Sequence, residues 1–432
     1  SNLMLVPLDP SHERFRWHGL FKAMLRSELR RTEPAAEAGL HDRASSWLER
    51  NGDLDGAIGH AVAGGDTGRA GELLSNNIVA YVAHGRNDTV RRWLTRFTPD
   101  QLAGCAPLAL SAAHSWLAAG NVDQGRHWRL AASAALEPGT DTRSLEAGIA
   151  VFDAIAAGWG LAQTKRAAAR ACALDPEHGQ WRPYCRLIVG VAEHLAGHHE
   201  IAAGELDDGA ALAAVTAPVI AALCHAQLAL IAIEREDWDA AAEATDRATA
   251  LVQAPALAAS PLCALVFAAA AAARAHEGRA DEAKRDLRHA SDLLTELGEF
   301  VPWYGAETRI LLARAALGLA DTVRARTLLA EASRLARRTT DAVIFQRCFE
   351  QAWAQIDTLA ETALAGPSSL TIAELRILRF LPSHRSFREI AERLDVSVNT
   401  VKTQAHAIYR KLDAANRSEA VACASRAGLL GS

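Results

Sequence analysis

Five side chains near the C-terminus have the types and spacing to read a polar surface. Asn399, Lys402, Thr403, His406 and Arg410 recur at three- and four-residue steps, so on a helix they share one face. Beside them runs an apolar stripe of Val398, Val401, Ala405, Ile408 and Leu412. The polar face holds no carboxylate, in a chain with 51 Asp and Glu against 46 Lys and Arg. Such a helix suits the major groove of double-stranded DNA, which admits one helix and offers donors and acceptors on its base edges. Lys402 has the reach for guanine acceptors, and Thr403 and His406 suit shorter contacts. The plain alternative for Lys402, Lys411 and His406 is a solvated side chain.

Chemistry elsewhere is sparser. His194 and His198 share a face if one helix runs through Gly197, and two His at that spacing can bind metal. No third ligand is evident in the sequence, so both are read as surface residues and no metal site is expected. Trp159, Trp181, Tyr184, Trp303 and Tyr304 are candidates for an effector site, with packing between helices the favoured reading. No nucleophile–base set is found, no G-x-x-x-x-G-K-[ST] loop and no Gly-Lys dipeptide, so no catalysis and no cofactor are expected in these 432 residues. ATP would belong only to a missing N-terminal module. The seven cysteines form no C-x-x-C pair and read as small core residues in a reducing, cytoplasmic compartment.

The elements that must position the C-terminal face announce themselves by their caps. Thr371 with Glu374, and Ser386 with Glu389, have capping-box spacing. Leu370 and Leu375 are placed as a hydrophobic staple, as are Val396 and Val401. Ser397 caps a third helix, and Asn416 with Glu419 starts a fourth. Leu394-Asp395-Val396-Ser397 is the short turn a helix-turn-helix needs. From Leu370 to Ser432 there are ten Lys and Arg against six Asp and Glu, while the whole chain carries −5. A basic tail on an acidic body fits a DNA-binding unit joined to something larger.

That body, residues 36–364, repeats one pattern. An Ala/Leu-rich helix ends in a polar or Gly turn and a second begins. Examples are 51–57, 119–125, 196–200, 236–241, 277–283 and 317–322. From Gly120 the turns recur about every 40 residues, allowing a weak one near Gly158, which is the mark of stacked helical hairpins. The pattern resembles tetratricopeptide repeats of a degenerate, longer kind. A superhelix of such hairpins offers a concave surface to a small-molecule or protein effector. Two uncharged runs, 209–233 and 253–273, are long enough to span a bilayer. Pro218, Pro255 and Pro261 interrupt them, so inner repeat helices and no membrane contact are expected. Upstream, short apolar runs at 3–6 and 14–17 pair as a hairpin, followed by a helix from His18 to Arg31. Ala365-Gly366-Pro367-Ser368-Ser369 reads as a linker.

The terminal string resembles the LuxR-type helix-turn-helix over nearly its whole length. The matching residues are Leu370-Thr371, Glu374, Glu389-Ile390-Ala391, Leu394, Ser397, Thr400-Val401-Lys402-Thr403, Ile408, Lys411-Leu412 and Arg417-Ser418-Glu419-Ala420-Val421. The resemblance implies base contacts from Lys402, Thr403 and His406. It implies phosphate contacts from Thr400, Lys411 and Arg417, and a homodimer on DNA through a last helix from Arg417 to Ala427. Asp395 stands where the family usually has Gly, Gln404 replaces a common His, and Pro382-Ser383-His384-Arg385 replaces a Gly-containing turn. The opening residues 2–9 and Phe15-Arg16-Trp17-His18-Gly19-Leu20-Phe21 resemble the winged helix of large MalT-like LuxR regulators. Those have a nucleotide-binding switch module ahead of it.

The expected organisation is therefore all-α. A winged-helix remnant (1–35) precedes a tetratricopeptide-like solenoid (36–364), a linker (365–369) and a four-helix LuxR-type module (370–432). The expected function is a DNA-binding transcription regulator that receives a signal through its repeats. The competing reading is a repeat scaffold whose terminal module docks a protein, and the carboxylate-free face argues against it.

Overall fold

Small residues let one helix approach another closely, and a helix that must reverse needs a residue able to turn left-handed. Both demands recur along this chain. The computed structural model describes residues 5–7, 15–33, 36–137, 142–157, 160–175, 179–298, 300–339, 341–365, 370–383, 385–394, 396–412, 414–426 and 429–430. It is all-α apart from one short hairpin.

Helices pair in sequence. Ala106–Ala118 packs on Val122–Ala134, Arg143–Ala156 on Leu161–Leu174, and Arg182–Leu195 on His199–Ala213. Pro218–Glu234 then packs on Trp238–Leu251, Ala264–His276 on Ala280–Leu297, and Pro302–Gly318 on Thr322–Ala336. Five of the links share one device. A left-handed residue stands at Gly120, Gly197, Glu236, Gly278 and Ala320. Two backbone bonds close the helix behind it, as in Asp321 N to Ala316 O at 2.8 Å and Ala320 N to Leu317 O at 2.9 Å. At three links the next residue already caps the following helix: the side chains of Asn121, Asp237 and Asp321 accept from backbone N–H groups. One residue ends a helix and its neighbour starts the next, so the pair stays antiparallel with almost no loop.

The two members of a pair are buried differently. Pro218–Glu234 is covered nearly all round, whereas Trp238–Leu251 buries a single stripe of Ala241, Thr245 and Ala248. This explains the uncharged runs. Run 209–233 is split between the end of His199–Ala213 and Pro218–Glu234. Run 253–273 is divided among Pro255–Ala258, a short 3-10 turn at Pro261–Cys263, and Ala264–His276. No described helix is long and apolar enough to cross a membrane.

The pairs wind tightly enough for distant turns to touch. Both carboxylate oxygens of Asp341 accept from Leu161 N, at 2.8 and 3.0 Å, from 180 residues away in sequence. Gln180 Nε2 donates to Ser75 O at 2.7 Å. At Gly120 a side chain has no room: an added Cβ would lie 2.4 Å from Leu297 O. Ile78, His114, Ile220 and Tyr304, from different helices, line one apolar space.

At the N-terminal end, Leu5–Pro7 pairs antiparallel with Phe15–Trp17, Leu5 opposite Trp17. The helix Gly19–Thr32 follows and buries none of its residues; Leu20, Met24 and Leu25 are exposed. At the other end Ile372–Leu378, Phe387–Leu394, Val398–Lys411 and Arg417–Arg426 form the terminal module. They close on their own core, which includes Leu370, Leu378, Ile390, Val401, Ile408 and Ala420. The predicted linker lies outside the described residues except for Ala365.

Candidate nucleic-acid interface

Every expected cap of the terminal module is formed. Thr371 and Glu374 exchange bonds, Glu374 N to Thr371 Oγ1 at 3.3 Å and Thr371 N to Glu374 Oε2 at 2.5 Å. Ser386 and Glu389 do the same at 3.3 and 2.7 Å. Thr400 N donates to Ser397 Oγ at 3.0 Å, and Glu419 N to Asn416 Oδ1 at 2.9 Å. These caps fix where each helix begins, and so fix the rotation of the third helix about its axis.

That rotation buries Val401, Ala405 and Ile408 completely and leaves Asn399, Lys402, Thr403, His406 and Arg410 exposed on the opposite side. Among the described residues no carboxylate pairs with Lys402 or Arg410. Val398, expected in the apolar stripe, is 36% exposed instead. It lies in the first turn, ahead of the neighbours that cover Val401. Val396 is likewise exposed, and Asp395 lies outside the described residues.

Three residues expected to reach phosphate are engaged within the protein. The Thr400 hydroxyl lies 2.8 Å from Ser397 Oγ, inside the cap. Lys411 Nζ donates to Glu374 Oε2 at 2.6 Å. Burial alone would raise the Glu374 carboxyl, but Lys411 and Thr371 outweigh it and hold it below the usual carboxylate range. Arg417 spends its guanidinium on carbonyls: Nε to Leu381 O at 2.8 Å, Nη1 to Arg385 O at 2.6 Å, Nη2 to Phe380 O and Ser383 O at 3.2 and 2.5 Å. The unusual turn at 382–385, of which His384 lies outside the described residues, is therefore fastened by Arg417.

The module also touches the repeats through residues the sequence did not single out. Arg379 Nη1 donates to Gly318 O at 2.7 Å, Lys284 Nζ donates to Arg393 O at 2.8 Å, and Arg393 pairs with Asp281. Two of these bonds end on main-chain carbonyls, which every residue carries, so no sequence pattern marks them.

Within the repeats, Trp181, Tyr184 and Tyr304 are buried and Trp303 partly so; Trp159 lies outside the described residues. These four converge, with His114 and Phe300, on an apolar cavity of about 70 Å³. Two of their polar atoms are bonded to main-chain carbonyls: Trp181 Nε1 donates to Ser144 O and the Tyr304 hydroxyl to Leu262 O. Burial lowers the His114 imidazole to about 4, leaving it neutral. The reading of His194 as a surface residue is corrected: it is fully buried, 3.0 Å from Glu234. His198 does not share its helix, which ends at Leu195.

Comparison with known proteins agrees at both ends of the chain. Residues 368–424 match the family of bacterial regulatory proteins, luxR family, and residues 1–37 match the MalT winged helix domain. Serine/threonine-protein kinase PknK of Mycobacterium tuberculosis, and its counterpart in Mycobacterium bovis, are 31% identical over 111 residues. That is 26% of this chain and 10% of those proteins, so the chain spans about a tenth of the length of the relatives it matches. Among solved structures, a monomeric IFIT1 mutant with m7Gppp-AAAA overlaps 86% of this chain and 90% of that one, at 11% identity and a TM-score of 0.37. So distant a likeness carries no weight here. The chain pairs a LuxR-family regulatory module with a MalT-type winged helix, consistent with a MalT-like LuxR regulator.

Proposed function

We propose that this chain, with a MalT-type winged helix at one end and a LuxR-family module at the other, is a transcription regulator that binds double-stranded DNA through the helix Val398–Lys411. The observation that carries the reading is the exposed, carboxylate-free face of that helix, set by four formed caps. Lys402, Thr403 and His406 read base edges, with Asn399 and Arg410 beside them. Two copies on DNA pair through the helix Arg417–Arg426. A signal enters through the repeats.

The test starts with a DNA sequence selected by the protein from a random pool. Affinity for it should fall with salt as phosphate counterions are released. Lys402→Ala should weaken binding by roughly 10- to 100-fold with the helical content unchanged, and relax specificity at one base position. Unaltered sequence-specific binding in that variant would remove Lys402 from the interface. No affinity for any selected DNA at low salt would overturn the reading.

A further inference from the structure

One buried cluster in the repeats plays no part in the DNA reading. His194 ends one inner helix, Glu234 ends the next, and His199 opens the outer helix between them. One ring nitrogen from each His and one carboxylate oxygen of Glu234 all lie within 4.8 Å of one another. Around them stand Cys348, whose Sγ donates to Glu234 Oε1 at 3.1 Å, and Glu307, 3.6 Å from His194 Nδ1.

The hydrogen bonding of this cluster is incomplete. His194 has no exposed surface; its Nε2 pairs with Glu234 Oε2 at 3.0 Å, and its Nδ1 has only Glu307 Oε1, at a long 3.6 Å. Both ring nitrogens of His199 are shielded from water and unpartnered. Buried polar atoms are ordinarily satisfied, and each orphan costs stability. The unpartnered His199 nitrogens lie beside the His194–Glu234 pair, and imidazole nitrogens and a carboxylate oxygen brought together suit a ligand that accepts lone pairs. A proton donor would serve only some of them; a cation serves imidazole nitrogen and carboxylate oxygen alike.

We propose that His194, His199 and Glu234 bind one divalent transition-metal ion, zinc by preference, which ties together three successive helices of the repeat domain. The donor chemistry selects the ion. Two imidazoles and a carboxylate, with a thiol at the edge, suit zinc and its neighbours, whereas magnesium and calcium take oxygen donors. Separations up to 4.8 Å exceed those of a closed tetrahedral site, so binding draws the His199 ring inward. Glu307 then serves as the outer carboxylate that orients His194 through its other nitrogen. The sequence hid the site because its third ligand lies one repeat away: His194 and Glu234 are 40 residues apart.

The test uses the whole chain, stripped with a chelator and dialysed against zinc, with cobalt as a spectroscopic substitute. One zinc per chain is expected, together with the visible absorption of low-symmetry cobalt and a higher melting temperature. His199→Ala alters a partly exposed residue and leaves the fold intact. It should lower zinc affinity by at least about tenfold and abolish the cobalt spectrum. Glu234→Gln is the second probe, read by the same spectrum. If the stripped chain takes up no zinc, or if His199→Ala binds it as tightly as the parent, the site is refuted.

Discussion

Lys411 donates to Glu374 Oε2 at 2.6 Å and so joins the end of the third helix to the cap of the first. The same oxygen accepts from Thr371 N, so one carboxylate holds both a helix start and a helix–helix contact. The lysine is thus committed inside the module before any DNA arrives.

Two roles for Lys411 can be separated. If the ion pair is its main work, Lys411→Met and Glu374→Gln should show a coupling of about 1–2 kcal/mol in a double-mutant cycle on module stability. Lys411→Met should then leave the salt dependence of DNA binding unchanged. A fall of about one in the logarithmic salt slope would return Lys411 to the phosphate contacts.

Arg417 should not tolerate lysine. Its planar fork meets carbonyls of Phe380, Leu381, Ser383 and Arg385, which a single ammonium cannot span. Arg417→Lys keeps the charge, yet should destabilise the module by about 2 kcal/mol. Hydrogen exchange followed by mass spectrometry over 370–426 would show it as faster exchange at 380–385. Equal protection in the lysine variant would mean that charge alone matters there.

Two glycines test the winding of the repeats. Both are left-handed, Gly278 at φ 75 and Gly120 at φ 81. An added Cβ on Gly278 meets nothing, so Gly278→Ala should cost about 1 kcal/mol from backbone strain alone. Gly120→Ala adds a collision with Leu297 O and should cost at least about 2 kcal/mol more. Urea unfolding of the two variants side by side measures the difference, and equal losses would mean that the turns of 120 and 297 do not meet in solution.

His114 gives the repeats an acid-sensitive element. Its imidazole is lowered to about 4 in the fold from an ordinary 6.5, because burial opposes the charge. A histidine with a depressed folded value stabilises fully above 6.5 and loses that contribution as pH falls toward 4. About 2 kcal/mol should disappear between pH 7.5 and pH 5. His114→Gln should flatten that part of the melting-temperature profile; an unchanged profile would place the acid sensitivity elsewhere.

The local grammar of the chain was readable and the long-range contacts were not. Caps at Thr371, Ser386, Ser397 and Asn416 depend on neighbours three residues away, and all four form as spaced. The turns near Gly120, Gly197 and Gly278 are likewise local events, since a left-handed residue ends a helix wherever it stands. Glu236 and Ala320 fill the same left-handed position without being glycine, so there the repeat period, not residue type, marks the turn. From spacing alone His194 reads as a surface residue, because Glu234 and Glu307, which meet it in the core, stand on other helices. For Arg417 the family resemblance implies a phosphate contact, while its bonds to main-chain oxygens leave no trace in residue type.

The bond that Leu161 N donates to Asp341 has a bearing on how such a chain can change in length. An open array of hairpins gains or loses a unit at small cost, because each unit meets only its neighbours. Here a unit deleted between those two residues would bring a different turn opposite Leu161. If the unit came from before Leu297, the Leu297 carbonyl would also move away from the gap that Gly120 leaves for it. The copy number of this domain is locked by its own geometry. Length variants should arise at the ends of the repeat domain, not between residues 120 and 341.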